Sequence, residues 1–189
     1  MALDFSIPED ITAVADGMSR FVEREVLPLI KEVEDPRTVY DATGRYTPRV
    51  LELKKRVRMR SAEQGYFAMF APREIGGGGL GPIAVLVVYY ELARRFGAQM
   101  YPSPFRIDLI ANFVNGPNAM HQFLSPSYKE RCLPRLLRGE AATCFALTEP
   151  DAGSDSWMMK SRPGFFYRYS ERQICCNRAG DSGRCSPVL

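Results

Sequence analysis

The feature that most constrains this 189-residue sequence is a change of hydrophobic pattern near residue 140. Up to residue 139, apolar residues recur every three or four positions, which is the period of amphipathic α-helices. The run Cys144-Phe145-Ala146-Leu147 is continuously apolar, as in a short strand, and leads into a turn rich in hydroxyl groups and glycine. We therefore predict a mainly α-helical domain over residues 1–139, followed directly by the start of a β-domain over residues 140–161.

Prolines, glycines and turns divide the helical part into several predicted helices. A long first helix begins near Pro8, is kinked at Pro28 and closes at Asp35-Pro36. The helix from Pro82 to Arg95 is apolar on nearly all sides, so we expect it to lie at the centre of the helical core. Further helices are predicted at residues 48–64, 104–115, 118–124 and 126–137.

The helix predicted at residues 48–64 is unusually basic. A helix with such a face can bind phosphate groups or a membrane surface, but a run of cations more often forms a solvated face. We expect the solvated face here. The cations concerned are Lys54, Lys55, Arg56, Arg58 and Arg60.

Four consecutive glycines, Gly76 to Gly79, precede the apolar helix. Glycine-rich turns hold phosphates in nucleotide-binding loops, but the Gly-Lys-Ser/Thr sequence of a phosphate loop is missing here. The glycine spacing and the acidic ribose ligand of a dinucleotide site are missing too. We therefore predict a glycine-rich turn between two helices.

Charge and hydropathy exclude several classes of function. The net charge of +3 comes from residues 160–189, where six basic and two acidic residues give +4, so the first 159 residues carry −1. The body of the chain therefore has no basic surface of the kind that binds nucleic acid. No run approaches the length of about 18 apolar residues that a membrane span needs. The start, Met1-Ala2-Leu3-Asp4-Phe5, resembles neither a signal nor a transit peptide, which favours a cytoplasmic protein.

The cysteines and the single histidine indicate no metal or catalytic centre. Cys175, Cys176 and Cys185 cluster near the end of the sequence, but adjacent cysteines are poor zinc ligands and His121 is remote. Free thiols are therefore favoured over a zinc site. Because no nucleophile or carboxylate partner is in view, His121 is expected to be a surface or helix-capping residue rather than a catalytic one.

Several segments follow one another in the order found at the front of acyl-CoA dehydrogenases. The segment Phe70 to Gly77 resembles the family's apolar-Pro-x-Glu stretch and glycine-rich turn, and Glu91 to Arg95 resembles its Glu-Leu-Ala-Arg helix end. The turn from Leu133 to Glu140 resembles the family's approach to its β-domain. The family's flavin-binding signature is matched by Thr148-Glu149-Pro150-Asp151-Ala152-Gly153-Ser154-Asp155. The sequence therefore resembles this family over about residues 5–161.

The resemblance implies a flavoprotein oxidoreductase of fatty acid metabolism, with FAD as cofactor, an acyl-CoA as substrate and a homo-oligomeric assembly. In that family the signature strand runs along the isoalloxazine ring. At the matching positions of this sequence, the resemblance implies that Phe145 lies beside the flavin. It also implies that the backbone of Leu147 and Thr148 faces the pyrimidine end of the ring, and that the Thr148 hydroxyl can hydrogen-bond the ring. Ser154 matches a serine that contacts the acyl-CoA or nearby phosphates.

The resemblance also implies that two parts of the catalytic machinery lie elsewhere. The family's reaction removes an α-proton with a glutamate of the C-terminal helical domain while a β-hydride passes to flavin N5. A neighbouring subunit's C-terminal domain holds much of the adenosine half of the flavin. We therefore assign no catalytic residue here and expect a fragment that is inactive alone. The alternative is a non-catalytic helical interaction or regulatory module, and flavin absorbance of the purified protein would distinguish the two.

The resemblance ends after Ser161, where the family continues with alternating strand residues and a polar-Gly-x-Lys segment. This sequence instead continues with Arg162-Pro163-Gly164 and a tail rich in Arg, Cys and Ser. The genetic code permits Asn-Gly-Lys-Tyr-Val-Val one base later across residues 171–177, which favours an out-of-frame tail. We predict an irregular, poorly ordered tail over residues 162–189, and the alternatives are a splice product or a naturally short variant.

Overall fold

The computed structural model describes residues 6–143, 148, 150, 153–158 and 160. The chain forms two units, of which the first ends at Ala142 and the second begins at Thr143. The fold of the described residues is mainly α-helical, as predicted. The predicted strand at residues 144–147 and the predicted irregular tail at residues 162–189 lie outside the described residues, so both stay predictions.

The described part of the chain contains six α-helices, one π-helical segment and four short 3₁₀ helices. The α-helices are α1 (Glu9–Phe21), α2 (Leu27–Glu32), α3 (Pro36–Val39), α4 (Pro48–Glu63), α5 (Pro82–Met100) and α6 (Pro126–Leu137). The π-helical segment is Val22–Val26, and the 3₁₀ helices are Arg73–Ile75, Arg106–Asp108, Ala119–Phe123 and Ser156–Met158. An isolated antiparallel bridge pairs Tyr40 with Tyr46.

The long first helix changes its geometry just before Pro28, which lies in the first turn of α2. Proline cannot donate a backbone hydrogen bond, and its ring crowds the carbonyl four residues earlier, which here belongs to Arg24 of the π-helical segment. The wider turn relieves this crowding, so the helix continues to Glu32. The apolar residues on both sides of the wider turn are buried: Met18, Phe21, Val22, Val26 and Leu29.

Side-chain caps define the starts of α4 and α6. Thr47 Oγ1 accepts a hydrogen bond from Val50 N at 3.5 Å, and Ser125 Oγ accepts one from Tyr128 N at 3.4 Å. In both cases a proline follows the cap at the first helical position, where its missing N–H costs nothing. Both predicted helix starts are therefore confirmed.

One hydrophobic core joins the first helix, α4 and α5. Helix α1 packs against α5, and the core continues into the loops that follow α4 and α5. Its fully buried members include Phe21, Val50, Leu53, Val57, Val88 and Phe105.

The prediction that α5 lies at the centre of the core is wrong for half of its surface. One side is buried, through residues spaced by four positions: Ala84, Val88, Leu92 and Phe96. The other side is exposed, with Ile83 at 60%, Leu86 at 71% and Tyr90 at 63%. Apolar residues on all sides of a helix normally indicate burial on all sides, so this exposed face needs its own explanation.

The helix predicted over residues 104–115 does not form. The structure has the 3₁₀ helix Arg106–Asp108 in its place, followed by turns. Two asparagines explain the difference, since their side chains bond to backbone groups that a helix would use. Asn112 Oδ1 accepts from Val114 N at 2.9 Å, and Asn115 Oδ1 accepts from Asn112 N at 2.9 Å.

Candidate functional site

Two of the four predicted cofactor- and substrate-binding residues belong to the described part of the chain. Thr148 and Ser154 are both exposed, so their hydroxyl groups are accessible to a ligand. Phe145 and Leu147 lie outside the described residues, and their roles stay predictions.

The turn after Ser154 is held by local hydrogen bonds. Asp155 Oδ1 accepts from Trp157 N at 3.1 Å, and Met158 N donates to Asp155 O at 3.2 Å. These bonds close the 3₁₀ helix Ser156–Met158, whose Trp157 side chain is exposed. The turn is therefore shaped by its own residues and leaves the Ser154 hydroxyl open to solvent.

The chain turns at Gly139 as it leaves α6, as the sequence predicts. Gly139 has a φ of 69°, and a Cβ at this position would lie 2.6 Å from the carbonyl carbon of Arg58, so glycine alone fits without displacement. Across the turn, Arg138 Nε donates to Glu140 Oε1 at 2.6 Å. This guanidinium holds the pKa of Glu140 below its usual value. The turn therefore brings the end of α6 directly against the backbone of α4.

A buried ion cluster joins α4 to the 3₁₀ helix Arg106–Asp108. The side chain of Asp108 is 1% exposed and lies between two cations of α4. Arg58 Nη1 donates to Asp108 Oδ1 at 2.6 Å. Lys54 Nζ lies 2.6 Å from Asp108 Oδ2 and forms an ion pair with it, but the angles at these atoms do not meet those of a hydrogen bond. The carboxylate therefore balances charge that α4 carries into the interior.

Backbone carbonyl groups accept the other hydrogen bonds of the two buried cations. Lys54 Nζ donates to Pro104 O at 2.5 Å, and Arg58 Nε donates to Gly139 O at 3.4 Å. Because two cations face one carboxylate, these carbonyl dipoles stabilise the second positive charge. The cluster therefore ties α4 both to the chain before residue 108 and to the turn that follows α6.

The predicted solvated face of α4 is wrong for two of its cations. Lys54 and Arg58 point into the cluster, with side chains 7% and 12% exposed. The sequence contained a signal for this burial, because both residues follow the buried Val50 at steps of four and therefore lie on the same face of the helix. The other three cations are exposed, as predicted: Lys55, Arg56 and Arg60.

The glycine run forms a turn between helices, as predicted, and not a phosphate loop. A phosphate loop binds its anion through free backbone amides, but here the amides of the run donate to carbonyl groups of the preceding chain. The bonds are Gly76 N to Arg73 O (2.9 Å), Gly77 N to Pro72 O (3.0 Å), Gly78 N to Ala68 O (3.0 Å) and Gly79 N to Ala71 O (2.9 Å). A Cβ on Gly77 would lie 2.2 Å from Ala71 O, so this close approach itself requires glycine.

A cleft of about 280 Å³ lies beside the glycine turn. The end of α4, the turn itself and α6 form its walls. Its lining side chains are small or apolar: Ala62, Gly65, Ala68, Gly76, Gly77, Gly78 and Leu137. This lining provides no acid, base or nucleophile, so we assign no chemistry to the cleft.

His121 caps the 3₁₀ helix Ala119–Phe123, which lies where the sequence predicts a short helix. Its Nδ1 accepts a hydrogen bond from Asn118 N at 3.2 Å, while Asn118 Oδ1 accepts from Met120 N at 2.9 Å. Burial lowers the pKa of the imidazole. The helix-capping alternative is therefore confirmed, with the difference that the side chain is buried and not at the surface.

Within the described ranges, no group of three or more His, Cys, Asp and Glu side chains could hold a metal ion. None of the helices described is both long enough and apolar enough to cross a membrane. The cysteine cluster Cys175, Cys176 and Cys185 lies outside these ranges.

The helices of the first unit and the turn at Gly139 match a known protein domain. A sequence model described as the N-terminal domain of acyl-CoA dehydrogenase matches residues 8–140. The chain belongs to the acyl-CoA dehydrogenase family. The match runs from the start of α1 to the residue directly after Gly139, so it contains the ion cluster and the glycine turn of this family member.

Curated relatives are considerably longer than this acyl-CoA dehydrogenase family chain. An acryloyl-CoA reductase (NADH) of Anaerotignum propionicum is 31% identical over 159 residues, which are 84% of this chain and 35% of the relative. A glutaryl-CoA dehydrogenase of Desulfococcus multivorans is 26% identical, over 84% of this chain and 36% of the relative. The chain therefore spans about a third of the length of these relatives.

A solved structure of the family shares the fold. The crystal structure of an acyl-CoA dehydrogenase complexed with FAD from Bacillus anthracis matches with a TM-score of 0.53 and 22% identity. The match covers 82% of this chain and 23% of the other. At this level of identity the likeness concerns the fold, and it agrees with the mainly helical first unit.

Proposed function

We propose that this chain provides the N-terminal helical domain and the first flavin-contacting segment of an oxidoreductase that desaturates acyl-CoA thioesters between their α and β carbons. The observation that carries the proposal is the family match over residues 8–140. Relatives align over 159 residues, a stretch longer than that domain. The exposed hydroxyls of Thr148 and Ser154 add support, because both are accessible to a ligand.

The proposed cofactor is FAD, which would supply the hydride acceptor when bound. We assign to the Thr148 hydroxyl a hydrogen bond to the flavin ring near its pyrimidine end, where a donor stabilises the electron-rich reduced form. Phe145 and the backbone of Leu147 are assigned positions along the same ring. Ser154 is assigned a contact with the acyl-CoA or its phosphates, for which a hydroxyl is a suitable donor.

The 189-residue chain is proposed to be inactive by itself. It spans about a third of the length of its relatives. The resemblance to the family implies that the general base of the proposed reaction is a glutamate of a C-terminal helical domain. Loss of a general base commonly slows a reaction by about 10²–10⁴-fold. We accordingly assign the chain a role in binding and none in proton removal.

Flavin titration of the purified chain, followed by fluorescence, tests the assignment. We expect weak binding that Thr148→Val reduces by about 0.5–1.5 kcal/mol, because this change removes one hydrogen bond. The matched control is Thr12→Val, which alters an exposed threonine of α1 whose hydroxyl bonds to Pro8 O, and it should leave flavin affinity unchanged.

Two results would contradict the proposal. Tight flavin binding that Thr148→Val leaves intact would place the flavin site elsewhere. Reduction of an electron acceptor by the isolated chain with acyl-CoA, at an ordinary turnover rate, would show that the chain carries its own base.

A further inference from the structure

The sequence contains one Asn-Gly pair, Asn115-Gly116, and asparagine is among the thermolabile residues of proteins. The side-chain amide carbon of an asparagine lies within reach of the backbone nitrogen of the next residue. Glycine carries no side chain that would hinder the approach of this nitrogen. The pair is therefore a reactive sequence, and neither residue belongs to the proposed flavin or acyl-CoA contacts.

The fold holds both reacting groups of the pair in hydrogen bonds. Asn115 is 5% exposed, its Nδ2 donates to Ile107 O, and its Oδ1 accepts from Asn112 N at 2.9 Å. The backbone nitrogen of Gly116 donates to Asn112 O at 3.4 Å. Attack of this nitrogen on the amide carbon therefore requires the segment from Ile107 to Gly116, which we call the 107–116 turn, to open first.

Packing around Gly116 requires glycine at the position that makes Asn115 reactive. A Cβ on Gly116 would lie 2.7 Å from Ala111 Cβ and 2.9 Å from Phe67 Cζ. Phe67 is fully buried, so it has little room to move away. A larger residue that would slow the reaction therefore does not fit, and the site is protected only by its hydrogen bonds and burial.

We propose that Asn115 is a site of spontaneous deamidation, at a rate set by local opening of the 107–116 turn. Gly116 N attacks Asn115 Cγ, the new N–C bond closes a cyclic imide, and the Cγ–Nδ2 bond breaks. Ammonia leaves with the proton from Gly116 N. Water then adds across either C–N bond of the imide and gives aspartate or isoaspartate at position 115. Water is the only co-reactant, and no atom changes its oxidation state overall.

The product cannot rebuild the turn. A carboxylate at position 115 has no N–H to donate to Ile107 O, so this carbonyl loses its partner and meets a negative charge instead. Ile107 directly precedes Asp108, whose carboxylate compensates Lys54 and Arg58. Deamidation therefore loosens the segment that carries the only acidic residue of the buried ion cluster.

Two hydrogen bonds from other segments keep the turn closed. Ser61 Oγ of α4 donates to Leu109 O, and Ala111 N donates to Phe67 O at 2.6 Å. Local opening becomes more frequent when such a bond is lost. Ser61→Ala therefore changes the opening of the turn without changing either reacting group.

Peptide mapping by mass spectrometry of the full 189-residue chain, incubated in mildly alkaline buffer with and without urea, tests the proposal. We expect Asn115 to convert at least about tenfold more slowly in the native chain than in urea, because only open molecules react. Ser61→Ala should raise the native rate by about two- to tenfold, which is the effect of one hydrogen bond on the opening equilibrium. It should leave the rate in urea unchanged.

The matched control is Ser19→Ala, the same substitution at another fully buried serine. The Ser19 hydroxyl donates to Ala15 O within α1, away from the turn, so the native rate at Asn115 should stay as in the wild type. Asn112 and Asn118 provide a control within each sample. They precede Phe113 and Ala119, so both should convert more slowly than Asn115 in urea.

Asn115→Asp tests the consequence for the fold. Hydrogen exchange of the Ala111 amide should be at least about tenfold faster in this variant, because its bond to Phe67 O depends on a closed turn. The amides of α1 should exchange as in the wild type. Unchanged exchange at Ala111 would show that the turn accommodates the carboxylate, against the proposal.

Other outcomes would overturn the proposed site itself. Equal rates at Asn115 with and without urea would show that the fold gives no protection. Conversion of Asn112 or Asn118 as fast as Asn115 in urea would show that Gly116 is not decisive. An equal acceleration by Ser19→Ala and Ser61→Ala, or no native conversion in either the wild type or Ser61→Ala, would rule out local opening of the turn as the route.

Discussion

Helices α4 and α5 break the same expectation in opposite directions. Helix α4 is the basic helix of the chain, yet it carries Lys54 and Arg58 into the interior. Helix α5 is the most continuously apolar segment, yet it leaves Leu86 and Tyr90 in water. The amino-acid composition of each helix therefore does not predict which of its side chains are buried.

The difference teaches that the phase of a residue on its helix decides burial more than the average character of the helix. In α4 the buried cations lie in phase with apolar core residues, and Asp108 arrives from another segment to compensate them. In α5 one face is sufficient to pack against α1 and the core, so the second apolar face is surplus to folding. A buried charge needs an oppositely charged or hydrogen-bonding group within the fold. An exposed apolar face, by contrast, can be covered by another protein segment.

The largest expected effect comes from removing the partner of the buried cations. Asp108→Ala leaves Lys54 and Arg58 uncompensated in the interior, so we expect the free energy of unfolding to fall by about 3–5 kcal/mol. Chemical denaturation followed by circular dichroism measures this loss.

The control for that experiment is the same substitution in a surface pair. Asp16 Oδ1 lies 2.7 Å from Arg95 Nη2 with both side chains partly exposed, so Asp16→Ala should cost at most about 1 kcal/mol. Equal effects of Asp16→Ala and Asp108→Ala would mean that burial of the Asp108 cluster adds nothing.

The second test uses one substitution at two positions of α5. Leu92 is 8% exposed and Leu86 is 71% exposed, so Leu92→Ala should cost about 2–5 kcal/mol while Leu86→Ala stays within about 0.5 kcal/mol. Thermal or denaturant unfolding should be measured on dilute protein, below any self-association. Comparable losses at the two positions would show that the outer face of α5 is packed after all.

The smallest expected effect concerns the pH dependence of His121. Burial holds the pKa of this imidazole below that of the unfolded chain, about 6.5, so near pH 6 the unfolded state binds more protons. Stability should therefore be full above about pH 6.5 and fall as the pH is lowered through the folded pKa, because protonation removes the Nδ1 acceptor for Asn118 N.

His121→Gln provides the control, because glutamine can cap the same amide without titrating in this range. Unfolding free energies between about pH 7 and pH 5 should fall more steeply for the wild type than for the variant. Parallel pH profiles would show that another group is responsible.

Local signals in the sequence were sufficient for the starts of two helices and for the glycine turns. The starts of α4 and α6 followed from a hydroxyl cap and a proline, and the turn at Gly139 followed from a helix end beside a glycine. The glycine-rich turn was predictable because the motifs of phosphate loops were missing.

The failures concern contacts between distant segments or competing polar groups. The burial of Lys54 depends on Asp108, which lies 54 positions away along the chain, so the pattern of α4 alone could not reveal it. The segment after residue 104 has apolar residues at helical spacing, but two asparagine side chains take up its backbone groups. For the candidate site, the motif assigned ligand contacts to Phe145, Leu147, Thr148 and Ser154, and these contacts stay predictions.

The glycine turn has a consequence for the order of folding. Its bonds join residues close in sequence, from Gly78 N to Ala68 O and from Leu80 N to Met69 O. Loops of about ten residues close within about 10–100 ns, at a small cost in entropy. This stretch can therefore assemble before any helix has found its partner. The start of α5 at Pro82 follows it directly, so an early turn would set the direction in which the longest helix described here grows.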